Sequence, residues 1–421
     1  MKQSESGLIT VAVLGAGGRG AGFGQIIKDA PHRAKVVAVA EPRDAYRDEF
    51  ARLHGLPKDA VFKMWHEFVR QAKMCDAVVI ATMDQEHVAP AVACLEKGYH
   101  LLLEKPMATT LDDCRAIEAA QRKSGKLVAV CHSLRYHKAF RKVREIIDSG
   151  RIGRVMSIDQ LEQVAYWHQA HSFVRGNWGN EGRSSFMLMA KSCHDIDFIA
   201  YLVGKPCLRV SSFGALTYFK RENAPKGSAE RCTNGCEVEP TCAYSALKQY
   251  VQRSPAELNV WPANVVAPVH TPEAHLEAIK TGPYGRCVWH CDNDVVDHQV
   301  VAMEFEGGVT ATFTMTGFTM DGGRKIRVHG TEGEILFEEN CVTMKTFATN
   351  NVEAIQIGEE VGGHGGGDTR VVQNWLEAIR CGDASLILTN AEESLRTHTI
   401  VFAAEKSRRE KRMVAVAELI S

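Results

Sequence analysis

A short strand that runs into a glycine-rich turn limits the fold of this chain more than any other feature. The apolar run Leu8–Leu14 has the composition of a buried strand. It ends in Gly15-Ala16-Gly17-Gly18-Arg19-Gly20, and a helical pattern follows at once. A strand that passes into a helix through such a turn is typical of the first unit of an open α/β sheet.

Further short apolar strands alternate with helical patterns as far as residue 130. The strand patterns are Val36–Ala40, Ala77–Ala81, His100–Leu103 and Leu127–Val130, and the helical patterns between them are Arg43–His54, Val88–Lys97 and Leu111–Ser124. This alternation predicts parallel strands joined by right-handed crossovers. We therefore expect an α/β doubly wound Rossmann domain over residues 1–132.

The glycines of the turn each suit the binding of a dinucleotide. Gly15 permits the tight turn, Gly17 lets the backbone approach a pyrophosphate, and Gly20 lets the helix pack closely on the strand. Glu41 follows Gly20 by 21 residues and ends the second strand, where a carboxylate binds ribose hydroxyls and repels a 2′-phosphate. The pattern predicts NAD. NADP stays open, because Arg43 either reaches a 2′-phosphate or lies in solvent. The expected cofactor contacts in this region are Gly15, Gly17, Gly18, Arg19, Gly20, Glu41, Thr82 and His87.

The pattern changes after about residue 150 to alternating strands without intervening helices. These strands are Val155–Gln163, Leu208–Tyr218, Asp297–Phe305, Val309–Met315, Lys325–His329 and Glu334–Phe337. Gly307-Gly308 indicates a hairpin between two of them. We predict an α+β C-terminal domain over residues 133–421 with a large, mostly antiparallel sheet. Closing helices are expected within residues 369–410, and residues 220–291 form a polar, cysteine-rich insertion.

Length and composition limit the class of protein. A chain of 421 residues exceeds the size at which one core usually splits, so two domains are expected. Fifty basic against fifty-one acidic residues lack the basic excess that nucleic-acid binding requires. No N-terminal apolar core and no apolar span of about 20 residues is visible, which predicts a soluble protein without a membrane partner. Thirteen scattered cysteines favour reduced thiols and a cytoplasmic location.

Five cysteines in or beside the insertion have the spacing of metal ligands. Cys232, Cys236 and Cys242 are close in sequence, and Cys287 and Cys291 follow about 45 residues later. Four thiolates suit tetrahedral zinc, which would also stabilise a segment with few large apolar residues. We predict structural zinc on Cys232, Cys236, Cys242 and Cys287, with Cys291 as the other candidate for the fourth ligand. Free thiols, a disulfide and an iron–sulfur cluster remain open.

The segment Glu104-Lys105-Pro106, together with the glycine motif and the later antiparallel sheet, resembles the glucose-fructose oxidoreductase / inositol dehydrogenase / MocA family. The resemblance extends over essentially the whole chain. It implies that Glu104 and Lys105 lie at the cofactor, with Lys105 beside the nicotinamide. It also implies a carbohydrate-like small-molecule substrate and a homo-oligomer formed through the C-terminal sheet.

A second segment, residues 191–197, resembles the stretch that carries a substrate-contacting histidine in the inositol dehydrogenase branch. That histidine matches His194. Relatives of that branch commonly have an aspartate four residues earlier, whereas this chain has Ala190 there and Lys191 beside it. The proton relay of that branch therefore does not transfer intact. Residues 166–178 and 287–299 place the chain in a subgroup of undefined substrate.

Oxidation of a secondary alcohol requires a base near the hydroxyl in addition to a hydride acceptor. Lys105 and His194 are the candidates, with a shared role, and Lys191 is close enough in sequence to influence them. A structural ion pair of Lys105 with Glu104, and a core position for His194, are the alternatives.

Several donors and aromatic rings suit a polyhydroxylated ring. The expected substrate contacts are His168, His171, Arg175, Asn177, Trp178, Asp294 and His298. A packed surface loop, and ordinary turn or strand-end positions, are the alternatives. His364 lies in a glycine-rich loop and is a further candidate contact.

These features predict an NAD(P)-dependent oxidoreductase that acts on a secondary alcohol or ketone of a sugar, cyclitol or sugar derivative. The alternative is an NAD-retaining glycoside hydrolase or lyase that works through a transient keto sugar. A sensor that only binds the nucleotide is a third hypothesis.

Overall fold

The computed structural model describes residues 7–358 and 362–420. Its N-terminal part is a parallel six-stranded sheet in the order β3-β2-β1-β4-β5-β6. The strands are β1 Ile9–Leu14, β2 Ala34–Ala40, β3 Val61–Phe62, β4 Ala77–Ile80, β5 His100–Leu103 and β6 Val128–Val130. The strand order reverses between β1 and β4, and open α/β sheets bind ligands at the carboxyl ends of the strands at such a point. The predicted doubly wound fold is confirmed.

Helices cover both faces of this sheet. Those that connect its strands are α1 Gly18–Lys28, α2 Asp44–His54, α3 Trp65–Arg70, α4 Val88–Glu96 and α5 Leu111–Ser124. A helix from much later in the chain, α13 (Gly367–Cys381), also packs here, because Trp375 is fully buried in the same apolar cluster as Val11 and Val13. Part of residues 133–421 therefore packs against the first sheet.

The second sheet has nine strands in the order β14-β13-β12-β11-β7-β10-β9-β8-β15. The strands are β7 Val155–Gln163, β8 Cys207–Ala215, β9 His298–Phe305, β10 Thr310–Thr316, β11 Gly323–Gly330, β12 Gly333–Glu338, β13 Cys341–Thr346, β14 Asn351–Gln356 and β15 Val414–Ala415. Only β7 and β10 pair in parallel among the strand pairs of this sheet in the described residues. The predicted, mostly antiparallel sheet is confirmed.

Helices of the C-terminal part cover one face of the second sheet. The remaining helices are α6 Lys138–Asp148, α7 Tyr166–His168, α8 Met187–Ala190, α9 Cys193–Val203, α10 Ala246–Tyr250, α11 Pro255–Leu258, α12 Pro272–Thr281 and α14 Ala391–Glu410. Phe213 and Val300 are paired across β8 and β9, and they are 73% and 40% exposed. The opposite face of the sheet is therefore partly apolar and uncovered. Association of copies through it stays a prediction.

The insertion lies between β8 and β9 and contains α10, α11 and α12. Two small apolar clusters form its interior, one around Phe219 and Trp289 and one around Tyr250 and Ile279. Throughout the two described ranges, every helix is too short or too polar to span a lipid bilayer.

Candidate functional site

The glycine-rich turn after β1 fits a bound pyrophosphate. Gly15 has a φ of +86°, and a Cβ there would lie 2.4 Å from the carbonyl oxygen of Ala81. A Cβ on Gly20 would lie 1.8 Å from the Gly15 oxygen. A Cβ on Gly18, where α1 begins, would meet nothing within 4 Å. Tight packing thus requires two of the glycines, while the start of the helix is open for an anion at its backbone N–H groups.

Glu41 ends β2 with its carboxylate buried beneath the turn. Its Oε2 accepts a hydrogen bond of 2.8 Å from the backbone of Ala16, and its Oε1 accepts one of 2.7 Å from the Arg43 Nε. Burial opposes ionisation, but the hydrogen bonds from Arg43 outweigh it and lower the pKa of Glu41. The Arg43 guanidinium also lies 4.0 Å from the Tyr46 ring centroid. Arg43 is therefore paired with Glu41.

Arg19 joins the glycine-rich turn to the segment after β5. Its Nε donates to Glu104 at 2.5 Å, and its Nη1 donates to Asp368 at 2.6 Å. Glu104 also accepts a hydrogen bond of 2.6 Å from the backbone N–H of Lys105. The carboxylate of Glu104 thus pairs with Arg19, and the alternative of an ion pair with the Lys105 ammonium does not form. Asp368, which the sequence analysis did not identify, also contacts His364 Nδ1 at 3.0 Å.

Lys105 follows the carboxyl end of β5, where the fold places ligands. Its Nζ donates to the carbonyl of Ala190 at 2.7 Å, and its peptide bond to Pro106 is cis. His87 contacts the Pro106 oxygen at 2.8 Å through Nδ1 and the Thr82 oxygen at 3.2 Å through Nε2. His87 and Thr82 therefore fix the two loops that follow β4 and β5.

His194 lies in the first turn of α9 with a side chain that is almost completely buried. Neither ring nitrogen has a hydrogen-bond partner in the described part of the chain. The ring centroid is 5.6 Å from that of His132 and 5.2 Å from that of His364. Burial, followed by the charge of Lys105, holds the pKa of His194 well below its ordinary value. The imidazole is therefore neutral at neutral pH, and its unprotonated ring nitrogen is open to accept a hydrogen bond.

Lys191 is paired with a carboxylate that the sequence analysis missed. Its Nζ lies 2.8 Å from Oε1 of Glu162, whose side chain is 2% exposed. Arg324 lies 3.0 Å from the other oxygen of Glu162 and 2.6 Å from Asp195. The four side chains form a row of alternating charges. Their signal in the sequence is a run of polar residues on the inward face of β7, where Gln160 and Glu162 follow Ile158 at every second position.

His168 ends α7 and packs against the aromatic rings of the insertion. Burial, followed by the charges of Lys191, His171 and Lys105, holds its pKa well below the ordinary value. Its ring centroid lies 4.7 Å from that of Trp261. The role of His168 as a substrate contact stays a prediction.

His171 and Arg175, by contrast, use their polar atoms inside the insertion. His171 Nδ1 contacts the Tyr250 hydroxyl at 2.8 Å, and its ring stacks on Tyr284 at 4.6 Å. Arg175 is 1% exposed and donates to the carbonyl oxygens of residues 286 and 244 at 2.7 and 2.6 Å. The geometry does not support the expectation that these two side chains bind substrate.

Three further predicted contacts also have partners within the protein. The Trp178 Nε1 donates to Asp84 at 2.9 Å, which links it to the segment after β4. Asp294 accepts a hydrogen bond of 2.8 Å from the backbone of residue 181. His298 contacts Asp297 at 2.8 Å. The contacts of Asp294 and His298 fit the alternative of turn and strand-end residues, and the contact of Trp178 fits the alternative of a packed surface loop. The fourth, Asn177, is half-buried in a short 3-10 turn.

The predicted zinc ligands converge on one place without forming a metal site. Cys232, Cys236, Cys242 and Cys287 all line a cavity of about 10 Å³, together with Arg175. Cys291 is outside this lining, and its thiol donates to the carbonyl of residue 287 at 3.2 Å. Among residues 7–358 and 362–420, no group of three or more His, Cys, Asp or Glu side chains is arranged to hold an ion. The zinc prediction is therefore not supported by the side-chain positions, and all five thiols are free.

Two family models match most of the chain. Residues 9–132 match the Gfo/Idh/MocA model described as "Oxidoreductase family, NAD-binding Rossmann fold", and residues 144–416 match the model described as "Oxidoreductase family, C-terminal alpha/beta domain". The structural observations agree with the first description, since the open start of α1 and the buried Glu41 fit a dinucleotide.

Individual relatives are more distant. The putative oxidoreductase YteT of Bacillus subtilis is 27% identical over 414 residues, which cover 92% of this chain and 90% of that protein. Inositol 2-dehydrogenase 2 of Saccharopolyspora erythraea is 29% identical over 204 residues, 47% of this chain and 54% of that protein. The structure of levoglucosan dehydrogenase with NADH matches with a TM-score of 0.70 at 17% identity over 97% of this chain and 99% of that one, a likeness of fold. The chain therefore belongs to the glucose-fructose oxidoreductase / inositol dehydrogenase / MocA family of NAD(P)-dependent oxidoreductases.

Proposed function

We propose that this protein transfers a hydride between the nicotinamide of NAD and a secondary alcohol or ketone of a sugar, cyclitol or sugar derivative. The observation that carries the proposal is that Lys105, at the carboxyl end of β5, binds the carbonyl of Ala190, four residues before the buried His194, whose ring nitrogens have no partner in the described residues. Unpaired buried polar groups are rare, and in a cleft they indicate a place for a ligand.

The bound nicotinamide would supply the acceptor for the hydride that leaves the carbinol carbon. Lys105 would donate a hydrogen bond from its ammonium to the reacting oxygen. His194 would accept a hydrogen bond from the reacting hydroxyl on a ring nitrogen that has no partner in the described residues, and it would take the proton as the hydride leaves. One C–H bond and one O–H bond break, and the products are a ketone, a reduced nicotinamide and one proton. Lys105 and His194 thus share the acid–base work.

The substrate class rests on the donors around the site and on the relatives. His168 and Lys191 add hydrogen-bonding groups beside the two acid–base residues. Proteins named inositol 2-dehydrogenase and levoglucosan dehydrogenase act on polyhydroxylated rings by their names. A ring with several hydroxyls suits such a set of donors.

We also propose that Cys232, Cys236, Cys242 and Cys287 bind a structural zinc ion after rotation of their thiols toward the cavity that they line. Arg175 supports this proposal. It is fully buried beside Cys232, and no carboxylate in the described chain lies within ion-pair distance of it. A buried cation without an anion is costly, and four thiolates around Zn²⁺ would supply two negative charges.

Replacement of Lys105 tests the proposed reaction. Lys105→Ala should leave the NAD dissociation constant nearly unchanged and lower turnover by about 10²–10⁴-fold, the range for a positioned acid–base group. Lys105→Arg should not restore activity, because a guanidinium keeps its proton and has a different shape. Lys123→Ala, on the exposed end of α5, is the matched control.

Turnover is followed by nicotinamide absorbance with a panel of sugars, cyclitols and their keto forms. No absorbance change with any member would contradict a net dehydrogenase. Release of an aglycone without net NADH would instead identify the NAD-retaining hydrolase or lyase. Normal activity per folded Lys105→Ala molecule would show that Lys105 is structural.

A further inference from the structure

The two lysines of the site have different counterions. Lys105 Nζ has the carbonyl oxygen of Ala190 as its acceptor at 2.7 Å. Lys191 Nζ, on the next residue, has the carboxylate of Glu162 at 2.8 Å. A carboxylate holds an ammonium in one place more strongly than a neutral carbonyl does. The two side chains are therefore suited to different tasks.

The carboxylate of Glu162 also contacts a second cation, on the side away from Lys191. Its side chain is 2% exposed, and Arg324 lies 3.0 Å from its second oxygen. Arg324 is in turn bound by Asp195 at 2.6 and 3.1 Å, and the Gln160 amide donates to Asp195 at 2.6 Å. Burial opposes the charge of Arg324, but Asp195 and Glu162 outweigh it and raise the pKa of Arg324. The carboxylate that pairs with Lys191 is thus part of a buried ion-pair network between β7, β11 and α9.

A row of four charges is a poor way to stabilise a core. Well-packed apolar side chains of similar volume often serve stability as well or better, because burial of charges costs solvation energy. The outer end of the row is Lys191, whose side chain is still 18% exposed and which follows Ala190, the residue whose carbonyl accepts the hydrogen bond of Lys105. The row therefore ends in a partly exposed cation one residue from the acceptor of Lys105.

We infer that Glu162 is a positioning residue that holds the Lys191 ammonium as a fixed hydrogen-bond donor to a second hydroxyl of the substrate, next to the reacting one. Lys105 and His194 then act on the proton of the reacting hydroxyl. The inference rests on the proposed function and narrows its substrate class to rings with neighbouring hydroxyls. Because a buried carboxylate already fixes this donor, little side-chain entropy is lost when the substrate binds.

The pair predicts an effect on substrate binding that is separate from the chemical step. Glu162→Gln keeps the shape of the side chain and removes its charge, so KM for a vicinal diol should rise about 10–100-fold, while kcat changes less than about threefold. Lys191→Gln should have a similar effect, and the double variant should be no worse than either single variant. Glu162→Asp should restore part of the loss.

Asp159→Asn is the matched control, since Asp159 lies on the opposite, exposed face of β7. It should leave KM and kcat unchanged. Thermal unfolding and NAD binding of each variant show whether the fold is intact. A fall in kcat without a change in KM, or effects of the two single variants that multiply in the double variant, would overturn the inference.

Chemical labelling tests the ion pair without any substrate. Acetic anhydride at limiting concentration is followed by mass spectrometry of the Lys191 and Lys123 peptides. Lys191 should react several-fold faster in Glu162→Gln than in the wild type, relative to Lys123, because an amine released from its ion pair at 2.8 Å is more mobile and more accessible to the reagent.

The outcomes separate the two proposals. Unchanged labelling of Lys191 overturns the inference even in an active enzyme, and so does faster labelling with an unchanged KM. A wild-type protein that oxidises no polyol of the panel contradicts the proposed function instead, whatever the labelling shows.

Discussion

At the end of β2, the ion pair between Glu41 and Arg43 affects the preference for NAD over NADP. The carboxylate accepts hydrogen bonds of 2.7 and 3.1 Å from the Arg43 guanidinium. A carboxylate at this place accepts from ribose hydroxyls, whereas a free arginine binds a 2′-phosphate. The Glu41 carboxylate is therefore expected to repel a 2′-phosphate, and its hydrogen bonds to Arg43 keep that guanidinium from binding one.

Removal of the Glu41 carboxylate should therefore shift the preference toward NADP. In Glu41→Ala we expect the dissociation constant for NAD to rise by about tenfold or more, since hydrogen bonds to a charged group are lost, and that for NADP to fall. Titration of both nucleotides by fluorescence measures the ratio. Arg43→Ala is the control and should keep the preference for NAD. A Glu41→Ala protein with an unchanged ratio would show that this pair does not select the cofactor.

The sequence allowed part of the site to be predicted at the level of residues. The glycines, Glu41 and Lys105 lie next to strands, so their positions follow from the local pattern and the fold. Glu162, Arg324 and Asp368 come from elements far apart in the chain. Their contacts depend on strand pairing between β7 and β11 and on the packing of α13, and neither follows from one local segment. The expected role of Arg175 as a substrate contact is not supported for the same reason, because its hydrogen-bond partners, residues 244 and 286, are distant in the sequence.

At the level of elements, most strands with one buried face were predicted, but β13, which also has a buried face, was missed, and the edge strands were predicted poorly. β7 and β9 alternate buried and exposed residues along most of their length. β14 has no buried residue, and β15 has only two residues. Without a buried face, no hydrophobic alternation marks a strand. β3 was missed for its short length as well.

A bound zinc ion would stabilise the fold of the cysteine-rich insertion. Protein purified without chelator should contain about one zinc per chain by elemental analysis, and the Cys232→Ser and Cys236→Ser variants should lose it. Cys381→Ser, on an exposed thiol outside the insertion, is the control. Removal of the ion should make the insertion sensitive to proteolysis before the rest of the chain.

Three results would contradict the zinc proposal. Metal below about one tenth of the chain concentration would favour free thiols. Visible absorption with bound iron would identify a cluster instead. Loss of two thiols in a titration under denaturing conditions, restored by a reductant, would indicate a disulfide.

At the scale of the whole molecule, one buried ion pair joins three distant segments. Arg135 follows the last strand of the first sheet and donates two hydrogen bonds of 2.8 Å to Asp197 on α9. Thr397 on α14 donates to the same carboxylate at 2.9 Å. The side chains of Arg135 and Asp197 are 2% and 1% exposed. The pair therefore fastens the C-terminal helices to the end of the Rossmann domain.

This pair predicts how the stability of the protein depends on pH. Burial opposes the charge of Asp197, but Arg135 outweighs it and lowers the pKa of Asp197 to about 2, against about 3.9 in an unfolded chain. A depressed pKa in the folded state contributes stability above the unfolded value. That contribution, about 2–3 kcal/mol, is lost as the pH falls from about 5 to 2.

Asp197→Asn should thus destabilise the protein by about 3 kcal/mol at neutral pH, because it leaves the buried Arg135 with only the partly exposed Glu393, at 3.5 Å, as a carboxylate partner. The difference from the wild type should shrink as the pH falls below about 4, since the wild-type carboxylate is then protonated on unfolding. Buried His132, whose pKa is lowered by burial, also disfavours the folded state in acid, but it does so in both proteins. Urea unfolding at pH 7, 5, 4 and 3 measures this difference in stability. Asp112→Asn is the control, because the pair of Asp112 with Arg115 lies on the surface. It should change the free energy of unfolding by less than about 0.5 kcal/mol. Stability curves of the wild type and Asp197→Asn that stay parallel from pH 7 to 3 would show that this carboxylate is not the group whose protonation weakens the fold in acid.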